Sequence, residues 1–457
     1  MNRLKFLLTV VATALALTGC SGGAGKGITL GYPPGTVYSV NVSVSGMVGS
    51  ASMVELQNNG SFASLAGNAG TSYCCIAVGA TYNITVKTQP TNPRQICVVA
   101  NGTGTMGQAD VNNVAVTCTT LPGRFLYVAN GGSNTISAYT IDANNGALTP
   151  VGGSPFAAGS VPYSVTADSS GKVAYVVNQG DSSVSAFAID GTSGALSAVS
   201  GSPFAAGSGP VSVAVNPFNS FAYVANSTAG SLSVYGIDAS SGALAAVSGS
   251  PFMTGTAPSS TAVYPTGSFA YVANSGSDNV SAYAVNAGSG SLTEVSGSPF
   301  AAGAGPRSIA VDPSGKFAYA ANSNSNNLSA YTIDASTGVL QTVSGSPFAA
   351  GSAPYCVAID LQGRFVYVAN QGSDNVSVYR FDAVTGALTA VSGSPFASGT
   401  APGSVTVDPS GRFVFVANSS SGNISAYTVS AATGALATVN GSPFAAGNLP
   451  YSVAVGD

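Results

Sequence analysis

Four residues break an otherwise uniform pattern: Tyr163, Arg307, Tyr355 and Tyr451 each follow a proline, at a position that elsewhere reads Val211, Ser259 and Gly403. Tyrosine offers a flat apolar face with a polar tip and arginine a planar fork of donors. Together they suit a small-molecule ligand such as a sugar or carboxylate, a glycan, or a peptide. The competing reading is packing between neighbouring units of a repeat. Around these four the usual catalytic types are missing. The 457-residue chain has no histidine, which excludes Ser-His-Asp and Cys-His arrangements, His-ligated zinc and proton transfer by imidazole. There is no CxxC spacing and no acidic loop of the EF-hand or RTX kind, so neither metal nor cofactor is expected. Twelve Lys and Arg face sixteen Asp and Glu, and only 6% of residues are charged. A protein with so few cations cannot neutralise a run of phosphates, which excludes nucleic acid as a partner.

The elements that must position these residues repeat. Asn130, Asn178, Asn226, Asn274, Asn322, Asn370 and Asn418 each close a YVAN-like segment, 48 residues apart, and an SPF triplet starting at Ser154 recurs with the same interval. Within one unit four strand-like runs alternate with turn chemistry: Ser308 to Val311, Lys316 to Ala321, Leu328 to Ile333 and Val339 to Val343. A four-stranded unit of this length is a propeller blade. The first copy, from Gly123, lacks the Pro-x-Ser-Val strand that opens every later one, and the chain ends in Pro450-Tyr451-Ser452-Val453. The last strand should therefore sit beside Phe125 to Ala129 and close a seven-bladed ring over 123–457.

Ring geometry sorts the remaining charges. Arg124, Lys172, Lys316, Arg364 and Arg412 precede the second strand and read as solvated turn residues. Arg380 and Glu294 fall toward the rim. Asp142, Asp190, Asp238, Asp334 and Asp382 recur at one turn position, which points to turn bonding rather than catalysis, and Asp181, Asp278 and Asp374 occupy tight Ser/Asn/Gly turns. Arg307 is the one ring cation expected at the channel mouth.

The repeats resemble the seven-bladed lactonase family, the fold of bacterial 6-phosphogluconolactonase, and also the YVTN repeats of surface-layer proteins. The likeness is strongest at Gly305-Pro306-Arg307-Ser308 through Asn322-Ser323. The family typically shows G-P-R-H, then F-H-P, then Asn followed by Glu. Arg307 matches the family arginine, Ser308 and Asp312 replace its two histidines, and Ser323 stands in place of the glutamate. The resemblance implies lactone hydrolysis; the replacements imply a degenerate site, because hydrolysis needs a base to activate water. The expected function is a non-catalytic cell-envelope lipoprotein whose propeller binds a ligand or builds structure, with lactone hydrolysis as the alternative.

Residues 37–120 lie outside the repeat. Tyr38 to Val44, Tyr82 to Val86 and Val114 to Thr117 alternate apolar and polar, with Asn59-Gly60 and Asn101-Gly102 as turns. This predicts an all-β protein in which a small immunoglobulin-like β-sandwich precedes the propeller. Cys97 and Cys118 are the disulfide candidates. Cys74 and Cys75, adjacent in a strand, should face opposite ways and stay apart, and Cys356 replaces a repeat serine as a small packed residue. Ahead of the sandwich, residues 20–36 read as a Gly-rich tether and 1–19 as a signal peptide with a basic start and an apolar run. Leu17-Thr18-Gly19-Cys20 resembles the bacterial lipobox. That likeness implies acylation of Cys20 and a lipid anchor to the outer membrane, facing the periplasm or the cell surface.

Overall fold

The computed structural model describes residues 37–48, 53–90, 94–121 and 123–456. Cys20 and the stretches read from the sequence as a signal peptide and a tether lie outside the described residues. Among these, every regular element is a strand.

The described residues up to Thr120 form eight strands: β1 (Val37–Ser45), β2 (Met53–Asn58), β3 (Ser61–Ala66), β4 (Thr71–Ala77), β5 (Thr81–Thr88), β6 (Gln95–Ala100), β7 (Thr103–Thr105) and β8 (Val111–Thr120). They order as β4-β1-β8-β6 and β3-β2-β5-β7. The apolar half of each alternating run (Val40, Val42, Val54, Leu56, Ile84, Val114, Val116) enters one shared core. Asn59 and Gly60 both take positive φ, 46° and 95°, the pairing a tight β2–β3 hairpin requires. Cys97 on β6 lies directly opposite Cys118 on β8, and the two are joined as a disulfide. Cys74 and Cys75 do not face opposite ways. Tyr38 pairs with Ile76 and Val40 with Tyr73, so a β-bulge sets both cysteines against Ser39 alone, and both are exposed.

From Phe125 onward seven sheets follow, one per 48-residue unit. Blade 5 shows the plan: Pro306–Val311, Phe317–Asn322, Asn327–Ile333 and Leu340–Thr342 lie side by side, and the two-residue strand Phe348–Ala349 pairs back onto the third. That fifth strand accounts for the SPF marker, since Ser346 Oγ accepts the Ala330 N–H at 2.9 Å and fixes the return of the chain. The second strand, Phe-Ala-Tyr-Ala-Ala-Asn, is buried on both faces because a neighbouring blade covers each side. Tyrosines tie blade to blade. Tyr319 Oη donates to Gly386 O of blade 6 at 2.9 Å, and Tyr331 Oη to Ala301 O of blade 4 at 2.7 Å. Asn322, fully buried, donates to Ser329 Oγ and Asn327 Oδ1. Gly303 packs on it so closely that a Cβ there would stand 2.7 Å from the Asn322 amide.

The ring closes as the repeat phase requires. Pro450–Gly456 pairs antiparallel with Phe125–Asn130 and completes blade 1. Inside it runs a second circuit, made in six of the seven blades. Ser164, Ser212, Ser260, Ser308, Ser404 and Ser452 each accept, on the hydroxyl oxygen, a backbone N–H from the innermost strand of the next blade, at 3.1–3.5 Å. Cys356 occupies the seventh position, where its thiol donates to Val405 O instead. One charge departs from expectation, and a second, exposed as expected, has a further role. Arg364 is not merely solvated: its Nε meets the fully buried Asp360 carboxylate at 2.8 Å. Arg412 donates to Ala143 O and Asn144 O, strapping blade 7 to blade 1.

The titrating groups define an acid limit. With no histidine, no side chain changes charge near its ordinary pKa between pH 5 and 8, so the melting temperature should be level across that range. Turn donors hold four exposed aspartates below the usual carboxylate range: the Ser193 N–H for Asp190, the Ser240 hydroxyl for Asp238, the Ser336 hydroxyl for Asp334, brought down to about 2, and the Thr385 N–H for Asp382. A carboxylate with a depressed folded-state pKa stabilises above its unfolded value, about 3.9, and that stabilisation is lost as pH falls through the folded value. Asp408, raised by burial, works in the opposite sense. Melting curves should therefore hold level to about pH 4 and fall toward pH 2; a midpoint that moves between pH 6 and 8 would contradict this.

Candidate functional site

In every blade the innermost strand starts at a proline paired with the YVAN-type asparagine, and the register then slips by one residue. Pro306 pairs with Asn322 but Ser308 with Ala321; Pro354 pairs with Asn370 but Cys356 with Ala369. The residue after the proline is thus the extra member of a β-bulge, released from the sheet's alternation and re-aimed into the channel. The residue before the proline sharpens the turn. It is Gly209 or Gly305 in two blades, with φ of 63° and 64°, while Val161 is held at 50° in the left-handed region that a β-branched residue avoids.

The bulge brings the four sequence candidates together. Tyr451 of blade 1 and Tyr163 of blade 2 stack with ring centroids 4.9 Å apart. Tyr163 then meets Tyr355 of blade 6 hydroxyl to hydroxyl, spanning the channel. The Arg307 guanidinium of blade 5 lies 5.7 Å from the centre of the Tyr355 ring. The tyrosines are partly buried and Arg307 is exposed. Val211, Ser259 and Gly403 fill the other bulge positions. Ser259 is occupied structurally, donating to Pro306 O at 2.7 Å.

The electrostatics favour holding an anion over moving a proton. Burial first, and then the Tyr355 phenol, push the Tyr163 hydroxyl far above the ordinary tyrosine value, so it stays protonated and can only donate or accept hydrogen bonds. Ion pairs among the described residues are Lys87–Glu55 and Arg364–Asp360, and neither involves Arg307. The aspartates on this face latch loops: Asp181 accepts the Ser160 N–H, Asp278 the Gly305 N–H and Asp374 the Ala401 N–H. Ser308 and Asp312, at the family's histidine positions, are both committed elsewhere. Ser308 belongs to the inter-blade circuit. Asp312 is buried at the far end of its strand, accepting the Ser314 and Phe317 N–H groups. Five residues of strand, roughly 16 Å, separate it from Arg307. Ser323 stays at the mouth, its N–H donated to Gly305 O. No group of three metal-ligating side chains occurs among the described residues.

Gly131 is a contributor that sequence reasoning missed. Its backbone lies under Tyr451, and a Cβ there would stand 2.4 Å from the ring. The signal was present: the residue after the YVAN-type asparagine is Gln or Ser in the other six blades. Gly131→Ala should push Tyr451 off Tyr163 and cost about 1–3 kcal/mol, read as a lowered denaturation midpoint; an unchanged midpoint would show that the ring moves freely.

This architecture and mouth define a lactonase-type β-propeller. The chain belongs to the family described as Lactonase, 7-bladed beta-propeller, whose model matches residues 86–213 and 206–450. The first match begins on β5, ahead of the ring. Among solved structures, the periplasmic gluconolactonase of Pseudomonas aeruginosa is 22% identical at a TM-score of 0.63, covering 74% of this chain and 99% of that one. A Bacteroides fragilis protein proposed to be a 6-phosphogluconolactonase is 22% identical at a TM-score of 0.65, over 73% and 98% of the two chains. A Lactobacillus plantarum protein is 24% identical at 0.61, over 73% and 99%. These likenesses establish the fold. No curated protein matches the sequence.

Proposed function

We propose that the protein is a non-catalytic cell-envelope lipoprotein whose propeller binds a small organic anion with a hydroxylated or planar body, of the sugar-acid class. The observation that carries this reading is Arg307: an exposed guanidinium beside an aromatic face, without an ion-pair partner. The nearby hydroxyl of Tyr163 is held protonated and the buried Asp312 lies at the opposite end of its strand. Arginine presents its fork to a carboxylate or phosphate, and the tyrosines cover the apolar face of a ring. Lactone hydrolysis is the second reading, favoured by family membership. It would need a base to activate water, whereas Asp181, Asp278 and Asp374 on this face are engaged with loop N–H groups.

Calorimetric titration with gluconate and 6-phosphogluconate, beside turnover assays on the corresponding lactones, separates the two. Saturable binding with hydrolysis no faster than the spontaneous rate is expected. Turnover abolished by Arg307→Ala would replace binding with catalysis. Anchoring through acylated Cys20 belongs to the same proposal and predicts that wild-type protein, unlike Cys20→Ala, partitions into detergent.

A further inference from the structure

We propose that Cys74 and Cys75 form a reversible redox site, closing to a disulfide between adjacent residues and reopening while Cys97–Cys118 stays linked. The bulge on β4 carries both side chains to one exposed face of an edge strand. Cys75 adopts φ of 62°, a left-handed conformation rare for a residue with a side chain. That turn brings the thiols together: Cys75 Sγ donates to Cys74 Sγ at 3.3 Å. A disulfide needs about 2.05 Å, so closure asks for an approach of about 1.3 Å by side chains that solvent does not hinder. The pair also borders an open cleft lined by Phe62, Tyr73 and Ile76, where a disulfide reagent can reach it.

The co-reactant is a low-molecular-weight disulfide of the glutathione class. One thiolate of the pair attacks it, forming a mixed disulfide and releasing one small thiol. The neighbouring thiolate then attacks the protein sulfur and expels the second small thiol. Two protein thiols and one disulfide become one protein disulfide and two small thiols, the protons passing to the leaving thiolates. The neighbouring sulfur makes the second step intramolecular, so the mixed disulfide should not accumulate. A disulfide between adjacent residues closes an eight-membered ring around the intervening peptide bond. Both sulfurs are exposed, whereas Cys97 and Cys118 are buried, and an exposed disulfide is labile where a buried one is structural.

The test equilibrates the full chain in glutathione buffers of graded redox ratio, quenches with a thiol alkylator and maps peptides by mass. In oxidised buffer the Cys74–Cys75 peptide should resist alkylation and weigh two hydrogens less than its reduced form. In mildly reducing buffer it should take two alkyl groups while the Cys97 and Cys118 peptides remain linked. Cys75→Ser should instead trap Cys74 as a stable glutathione adduct, with the Cys97–Cys118 link as the check that the variant folds. Stable glutathione adducts on the wild-type pair, or covalent dimers through it, would overturn the proposal.

Discussion

A chain ending at Asn448 is expected to lose the cooperative stability of the ring. The deleted segment supplies the innermost strand of blade 1, in register with Phe125–Asn130 at six positions. It also supplies Val453, buried in the core shared by blades 7 and 1, and Ser452, which accepts the Val165 N–H. Six ladder contacts at about 1 kcal/mol each, Val453 at about 2 kcal/mol and the partly buried Val455 at about 1 kcal/mol come to on the order of 10 kcal/mol. At that magnitude the melting temperature should fall by about 10 °C or more. The exposed edge of Phe125–Asn130 should also promote aggregation. Tyr451→Ala is the control, since it removes the channel-facing ring of the same strand and leaves the ladder intact. It should cost a small fraction of the truncation's effect. A truncated chain melting with the wild type would mean that the ring is not held by this strand.

The ring was legible because its signals are periodic. Seven asparagines at one interval fix the blade count, and the missing opening strand of the first copy, matched by the orphan strand at the end, fixes the closure. Signals that do not repeat or do not alternate were harder to see. The strand Phe348–Ala349 is two residues long, below any hydrophobic period, and showed itself only as an unexplained SPF marker. Cys74 and Cys75 were misplaced because a bulge shifts the alternation by one, and nothing in Ser-Tyr-Cys-Cys-Ile marks it. Arg364 was read as solvated from its turn position, whereas its partner Asp360 is four residues earlier on the same hairpin.

The site was half legible for a related reason. Variation at one repeat position picked out Tyr163, Arg307, Tyr355 and Tyr451. Repeat position alone does not say that blades 2 and 6 are within reach of each other, and that depends on the width of the channel. Nor could the replacement of histidine by Ser308 show that the new residue had acquired a different task. The hydroxyl completes a hydrogen-bond circuit used by six of the seven blades, so the substitution extends the repeat's own structural logic into the position where the family carries chemistry. Cys356 marks the one break in that circuit.

Arg307→Ala is expected to weaken anion binding at least tenfold while leaving the fold intact. A charge-assisted hydrogen bond contributes about 1.5–3 kcal/mol, which is roughly ten- to a hundredfold in affinity. The exposed side chain supports little else, so its melting temperature should match the wild type. Arg307→Lys keeps the charge and loses the planar fork, and should fall between the two. Tyr163→Phe breaks the contact to Tyr355 across the channel without changing charge, separating the contribution of the aromatic bridge from that of the guanidinium. Salt supplies an independent readout: wild-type affinity should decline with ionic strength, and Arg307→Ala should decline less. Should Arg307→Ala bind sugar acids as tightly as the wild type, with the same salt dependence, the arginine would serve only to cover the Tyr355 ring, and the propeller's ligand would have to be sought on another surface.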